Sequence, residues 1–323
     1  MKIIEWLVVT LLSALFGVPM AHAQDYPSKP VTLIVPQAPG GANDITARAI
    51  AKALGESMKQ TFIVDNRPGA GGNIGAQQAA RAPNTGYTLM LTLGSTLVIN
   101  PHLYKRPGFD AKDFEPIGPI VRTPYVLVTN SSFPAKNVAE LVAAAKARPG
   151  EIFYGSAGNG TPNHLLGEMF KTLTKTKIVH VPYKGAAASL NDTVAGQTQM
   201  NFSSLPLALP LIRDGRLHAL GITSISRSAL APDIPTFAES LPGFTPDMWI
   251  GLLAPAGTPK AIVQKLHAEL QAALKSKELR GTLEVQGLEV VLTQSPSEFA
   301  AMIAKESANW KRIVTEAGAS VDE

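Results

Sequence analysis

Short β-branched apolar runs alternate with helical periodicity along most of the chain. Residues 31–35 (VTLIV) read as a strand, and residues 45–58 as a helix with Ile45, Ala49, Ile50, Ala53 and Leu54 on one face. Residues 61–65 read as a second strand, 73–81 as a helix of small residues, and 88–93 as a third strand. This strand–helix order predicts parallel strands joined by crossover helices, hence an α/β sheet. The alternation resumes with strands at 125–129, 152–154, 178–181, 199–202 and 217–223, and helices at 138–147, 163–173 and 187–195. That predicts a second α/β domain, alike in architecture and without a sequence repeat.

Beyond residue 245 the pattern is mostly helical. Thr258-Pro259 opens a helix to about residue 274, and Ser295-Pro296-Ser297-Glu298 is a capping-box start for another to about residue 317. Both are expected to pack on the first domain, and the strand-like MWIGLLAP from Met248 carries the chain back to it. The chain then crosses between domains near residues 122–126 and 245–252. The expected division is residues 24–123 with 247–323 in domain 1, and 124–246 in domain 2. Two crossings make a hinge, and ligands favour clefts at domain interfaces and the carboxyl ends of parallel strands.

The first residues change the picture. Met1-Lys2 precedes an apolar stretch of about fifteen residues, which is short for a bilayer span. Ala21-His22-Ala23 follows, so residues 1–23 read as a signal peptide cut after Ala23, directing the protein to the periplasm. The chain has no cysteine, so no disulfide supports the core. With 323 residues it is long enough for two cores. The formal charge is +4 with Lys and Arg scattered, and no basic run suggests a nucleic-acid partner.

Candidate chemistry is sparse. RPGAGGNIGA (67–76) has the spacing G-x-G-x-x-x-G, with Ile74 where a dinucleotide fingerprint needs glycine. No acidic residue follows before Phe109 to hold a ribose, so the segment reads as a loop and a closely packed helix. There is no Gly-Lys-Ser/Thr, no G-x-S-x-G and no H-x-x-x-H. His164, His180 and His218 read as packed or surface histidines. Asp110, Asp113 and Glu115 read as a solvated face. No catalytic residue, metal or cofactor is assigned.

Two loops remain. Pro39-Gly40-Gly41-Ala42-Asn43 precedes one helix, and Ser156-Ala157-Gly158-Asn159-Gly160-Thr161 precedes another, with Thr161 placed as N-cap and Pro162 as first residue. Glycines let successive N–H groups face outward, and a helix N-terminus adds free donors and partial positive charge. Each loop alone reads equally well as a capped turn. One in each domain, both after strands, suits a ligand with an anionic group at one or both ends.

YPSKPVTLIVPQAPGGANDITAR, VDNRPGAGGNIGA, GYTLMLT, INPHLY, YGSAGNGTPNHLLGEMF, VHVPYKGAAASL and GLLAPAGTP together resemble the Bug family, the TctC-like periplasmic receptors of tripartite tricarboxylate transporters. The resemblance runs from about Tyr26 to the C-terminus. It implies a type II periplasmic binding protein fold, two α/β domains joined by a two-crossing hinge and closing on a small carboxylate held through backbone donors and waters. It places Gly40, Gly41, Asn43 and Asp44 in the first loop and Ser156, Gly158 and Thr161 in the second, with Ser95 and Thr96 adding hydroxyls. It implies membrane transporter subunits as partners, a monomer, and no enzymatic activity.

Two positions depart from many members. Gln37 stands where an aromatic residue is common, and offers an amide donor and acceptor. Ser203, with Ser204 beside it, stands where an acidic residue is common. A buried ammonium would lack its counter-charge there, which favours a di- or tricarboxylate or an aromatic acid over an amino acid. A ligand sensor reporting to a signalling partner would use the same binding physics, and a hydrolase or lyase would use the same cleft.

Overall fold

The protein is described by a computed structural model covering residues 26–321, apart from 225, 243, 245, 247, 318 and 319. The expected signal peptide lies outside the described residues. The strands are β1 (Val31–Val35), β2 (Phe62–Asn66), β3 (Thr88–Leu93), β4 (Phe114–Arg122), β5 (Tyr125–Asn130), β6 (Phe153–Ser156), β7 (Val179–Pro182), β8 (Met200–Ser204), β9 (Leu217–Ile222), β10 (Trp249–Pro255) and β11 (Glu289–Val290). They form a six-stranded sheet, β11-β4-β10-β3-β1-β2, and a five-stranded sheet, β7-β6-β8-β5-β9.

The predicted parallel core is present. β1 lies between β2 and β3, with Val31 opposite Phe62 and Thr32 opposite Thr88, and helices Ala42–Met58 and Asn73–Ala80 make the crossovers. In the second sheet β6 is parallel to β7 and β8. Both sheets are nevertheless mixed, because in the first β10 pairs antiparallel with β3 and β4, and β11 antiparallel with β4, while in the second β5 runs antiparallel to β8 and β9.

Several elements escaped the periodicity, among them β4 and helix Leu205–Arg213. In β4, FEPIGPIVR, Pro116 and Pro119 read as breakers because proline cannot donate to a ladder. The structure accommodates them at irregularities, where the register with β10 shifts between Ile250 and Gly251 and between Leu252 and Leu253, opposite these prolines. Helix Leu205–Arg213 holds Pro206 in its first turn and Pro210 inside. Burial of Leu205, Ala208 and Leu209 offsets the missing Pro210 N–H.

The chain leaves the first sheet after Arg122 and enters the second at Tyr125. It leaves β9 at Ile222 and rejoins the first sheet at Trp249. The passages are tied together: Thr123 N–H donates to the Met248 carbonyl at 2.6 Å, and Tyr125 and Thr223 exchange bonds of 2.8 and 2.9 Å.

Ile50 and Leu54 from one helix, and Leu266, Leu270 and Leu274 from helix Lys260–Lys275, bury completely against Val31, Leu33 and Ile250 of the first sheet. Each such side chain contributes about 1.5–3 kcal/mol. Helix Pro296–Ala317 packs Phe299 edge-on against Trp249, centroids 5.0 Å apart. In the second lobe, Phe170, Phe202, Phe237 and Phe244 form an aromatic cluster with centroids 4.4 to 6.4 Å apart. This packing holds the carboxyl ends of β1 and β6, from which the two glycine loops leave, and of β3, which runs into the short helix Gly94–Val98.

Candidate functional site

The first loop ends at a helix that no side chain caps. Gly40 takes a left-handed backbone (φ 85°), and Gly41, in extended conformation, is the N-cap of helix Ala42–Met58. A methyl group built at either glycine meets no atom within 4 Å, so this backbone borders open space. The partial positive charge of the helix end therefore borders open space.

Asp44 supports the loop from behind. Its carboxylate accepts the Gly40 N–H at 3.0 Å and pairs with Arg48, whose Nε lies 3.1 Å from Oδ2 and Nη2 3.0 Å from Oδ1. Burial works to raise the carboxyl pKa. Bonds from Arg48, Gly40 and Asn66 outweigh it and hold the group below the ordinary carboxylate value. Asp44 thus stays ionised with its charge matched by Arg48.

Amide and hydroxyl groups line the ground beside the loop. Asn43 Nδ2 donates to Gln37 Oε1 and, at 3.3 Å, to the Leu91 carbonyl. Gln37 Nε2 donates to Thr96 Oγ1 at 3.4 Å, and Asn66 Nδ2 donates to the Gln37 carbonyl at 3.1 Å. Asn43 is 3% exposed, and its Oδ1 has no partner among the described residues. Ser95 and Thr96 are buried in the short helix Gly94–Val98 at the carboxyl end of β3.

The second loop leaves β6. Ser156 is fully buried, its Oγ accepts the Gly158 N–H at 3.1 Å, and it lies 2.6 Å from His180 Nε2. Thr161 is the N-cap of helix Pro162–Thr174, with Pro162 in the first turn, as predicted. Its hydroxyl donates to the Gly158 carbonyl at 2.6 Å instead of accepting from the helix, so this helix too has no side-chain cap. Asn163 Nδ2 donates to the Phe202 carbonyl at 2.6 Å and ties the helix to β8. Ser203 follows, buried opposite Val126 with its hydroxyl 3.4 Å from the Ser204 carbonyl, and Ser204 is the N-cap of helix Leu205–Arg213.

Residues that the sequence reading did not assign join the loops. Gly69, Ala70, Gly71 and Gly72 all have positive φ and fold over the Gln37 network. A methyl at Gly72 would sit 3.0 Å from Gln37 Nε2 and 3.1 Å from Thr96 Oγ1. A methyl at Gly71 would sit 3.1 Å from the carbonyl of Asn159 in the other lobe, and Tyr104 O–H donates to that same carbonyl at 2.8 Å. The glycines of RPGAGG were visible in the sequence, but nothing local showed that they face the second loop.

Behind the second loop, His180 stacks between His164 (centroids 4.2 Å) and Tyr154 (4.9 Å). Burial, with His164 adding to it, pushes His180 down to about 3. Ser156 and His180 are close enough for a nucleophile and base. An imidazole held that low is too weak a base at neutral pH, and the Ser156 side chain is enclosed. The pair is structural. Among the described residues no cluster of three or more His, Asp or Glu could hold a metal, and no helix is long and apolar enough to cross a membrane. Asp110 and Asp113 cap the short 3-10 turn Ala111–Asp113.

Two α/β lobes, each with a glycine loop leading into a helix without a side-chain cap, define a two-domain periplasmic binding protein. More particularly, the chain belongs to the tripartite tricarboxylate transporter family receptors, which it matches over residues 46–319. Rpa4515 of R. palustris, solved with adipate, is 36% identical, with a TM-score of 0.86 over 92% of this chain and 100% of that one. The periplasmic binding protein BugD is 34% identical, with a TM-score of 0.84 over 92% and 100%. MatC from Rhodopseudomonas palustris, solved with bound malate, is 29% identical, with a TM-score of 0.83 over 90% and 100%. These are solute-binding proteins, and the chain is a receptor and not an enzyme.

Proposed function

We propose that this protein captures a small carboxylate, a di- or tricarboxylate or an aromatic acid, between its lobes and delivers it to the membrane subunits of a tripartite tricarboxylate transporter. Residues 24–123 with 247–323 form one lobe and 124–246 the other, and the protein works as a monomer in the periplasm after cleavage behind Ala23. The observation that carries the reading is a helix N-terminus without a side-chain cap in each lobe, at loops that contain no Arg or Lys, with the second loop joined to the first lobe through Tyr104. The Gly41 N–H and the free donors of the two helix starts hold the carboxylate, helped by the hydroxyls of Ser95 and Thr96, while the Gly40 and Gly158 N–H groups and the hydroxyls of Ser156 and Thr161 are taken up in shaping the two loops. Asn43, with its unpartnered oxygen, and Gln37 face the polar remainder of the ligand, and Ser203 and Ser204 line the far side without adding charge. Asp44 sets the loop and stays off the ligand. Solved relatives with adipate and malate support the ligand class.

A thermal-shift screen tests this with malate, succinate, adipate, citrate, benzoate and glutamate. A ligand at a hundred times its dissociation constant adds about 2.7 kcal/mol of stability. A flat response across the acids sinks the carboxylate reading. A response to glutamate alone sinks the argument from Ser203.

A further inference from the structure

The second loop is held by an imidazole that only one protonation state can supply. Gly160 N–H donates to His164 Nδ1 at 3.2 Å. A neutral imidazole has one nitrogen free to accept, whereas a charged one has two donors and none. The bond to Gly160 therefore requires neutral His164 with its proton on Nε2. Charging the ring sets N–H against N–H and expels the loop from its seat.

Gly160 is placed where this matters. It has a left-handed backbone (φ 75°), and a methyl there would come within 2.7 Å of the Tyr104 ring. Its neighbour Asn159 accepts the Tyr104 hydroxyl across the lobes at 2.8 Å, and Thr161 begins the uncapped helix. One histidine thus seats both the backbone donors of the second loop and the contact that joins the lobes.

The surroundings bear on the charge state. His180, stacked on His164, holds Ser156 at the other end of the same loop. Glu168, on the helix of His164, accepts from Tyr154 O–H at 2.7 Å and from Lys171 Nζ at 2.7 and 3.0 Å. Its carboxylate is thereby engaged by a phenol and an ammonium. Among the described groups, Glu168 favours a charged His164, while burial and Lys171 oppose it; His180 is disfavoured by burial, by His164 and by Lys171 and favoured by Glu168. The net shift is downward for both rings.

We infer that His164 is the positioning residue of the second loop, holding Gly160 so that the loop and the helix start behind it face the ligand, and that its protonation releases bound carboxylate. This rests on the carboxylate reading of the loop. His164→Asn replaces Nδ1 by an amide oxygen that accepts and does not titrate, and His164→Leu removes the acceptor. Adipate affinity is measured by calorimetry at about pH 7.5 and about pH 4.5, on either side of the ordinary histidine range. The wild type should lose more affinity at acid pH than His164→Asn, which carries the same ligand protonation. His164→Leu should bind about tenfold more weakly at both values, as the loss of one buried bond implies. The protection of the Gly160 amide from hydrogen exchange relative to its intrinsic rate, read without ligand, should be low in His164→Leu, high in His164→Asn, and lowered by acid only in the wild type. Equal pH profiles for wild type and His164→Asn, or a protected Gly160 amide in His164→Leu, overturn the inference. A protein that binds no carboxylate overturns the proposed function instead, and the exchange measurement still decides the seating of the loop.

Discussion

Tyr104 and Asn159 join the two lobes through one hydrogen bond, the Tyr104 hydroxyl donating to the Asn159 carbonyl at 2.8 Å. Tyr104 follows the short helix Asn100–Leu103 in one lobe, and Asn159 sits in the glycine loop of the other. Ligand affinity in a closing receptor depends on the free energy of the closed state. Tyr104→Phe should lower that stability by about 0.5–1.5 kcal/mol and weaken apparent affinity up to roughly tenfold. Calorimetry on wild type and variant checks this. Unchanged affinity would mean that the bond plays no part in closure.

Two glycines should respond in opposite ways. Gly41 is extended, with open space where a side chain would stand, so Gly41→Val should fold with nearly wild-type stability and yet block a ligand's approach. Gly160 has φ 75° and crowds the Tyr104 ring, so Gly160→Ala should destabilise the protein by about 1–2 kcal/mol or more. Urea melts and binding curves for both variants separate the outcomes. A Gly41→Val protein with full affinity would remove the first loop from the site.

Gln37 bridges Asn43 and Thr96. Gln37→Leu takes an acceptor from Asn43 and a donor from Thr96, at a cost of about 1–3 kcal/mol in stability. It also replaces a polar wall by an apolar one. The ranking of ligands should move away from hydroxylated acids such as malate towards plain-chain acids such as adipate. The same two affinities, measured in wild type and variant, give the test, and an unchanged ratio would clear Gln37 of any part in selection.

Stability should fall on the acid side before the carboxylates titrate. His180 sits at about 3 in the folded protein against about 6.5 when free, and His164 is also lowered. The unfolded chain binds more protons in that interval, so the contribution is complete above about pH 6.5 and is lost as pH falls towards 3. Asp44 and Glu168, both held below the ordinary carboxylate range, add their own loss only at lower pH, below about 4.5. His180→Gln keeps a bonding group opposite Ser156 and does not titrate, so its denaturation midpoint should drop less between about pH 7 and pH 5. Parallel pH curves for the two proteins would refute the assignment.

Much of the fold was legible because most elements satisfy local rules. Strand β3 and helix Val138–Ala147 fall on the predicted residues, since β-branched runs and helical periodicity need only near neighbours. Among the elements that were missed, β4 and helix Leu205–Arg213 carry prolines that argue against them locally. β4 exists because β10 and β11 flank it, and the helix because its leucines are buried. The two loops were found because glycines between a strand and a helical pattern mark a helix start, reinforced in the second by Thr161 and Pro162. Thr161 stands at the N-cap position read from the sequence, and only folded geometry shows that its hydroxyl turns back to Gly158.

By itself, then, the sequence determined the α/β alternation, the two glycine-rich helix starts and the family. Each depends on residue types at fixed short spacing. Only the tertiary structure decided which groups meet. The seating of Gly160 on His164, the stack of His164 on His180, the cover of Gly72 over Gln37 and Thr96, and the bond from Tyr104 to Asn159 join residues 4, 16, 24 to 35 and 55 positions apart. Such contacts form when sheets pack and lobes approach, and in all but the shortest no local pattern records them.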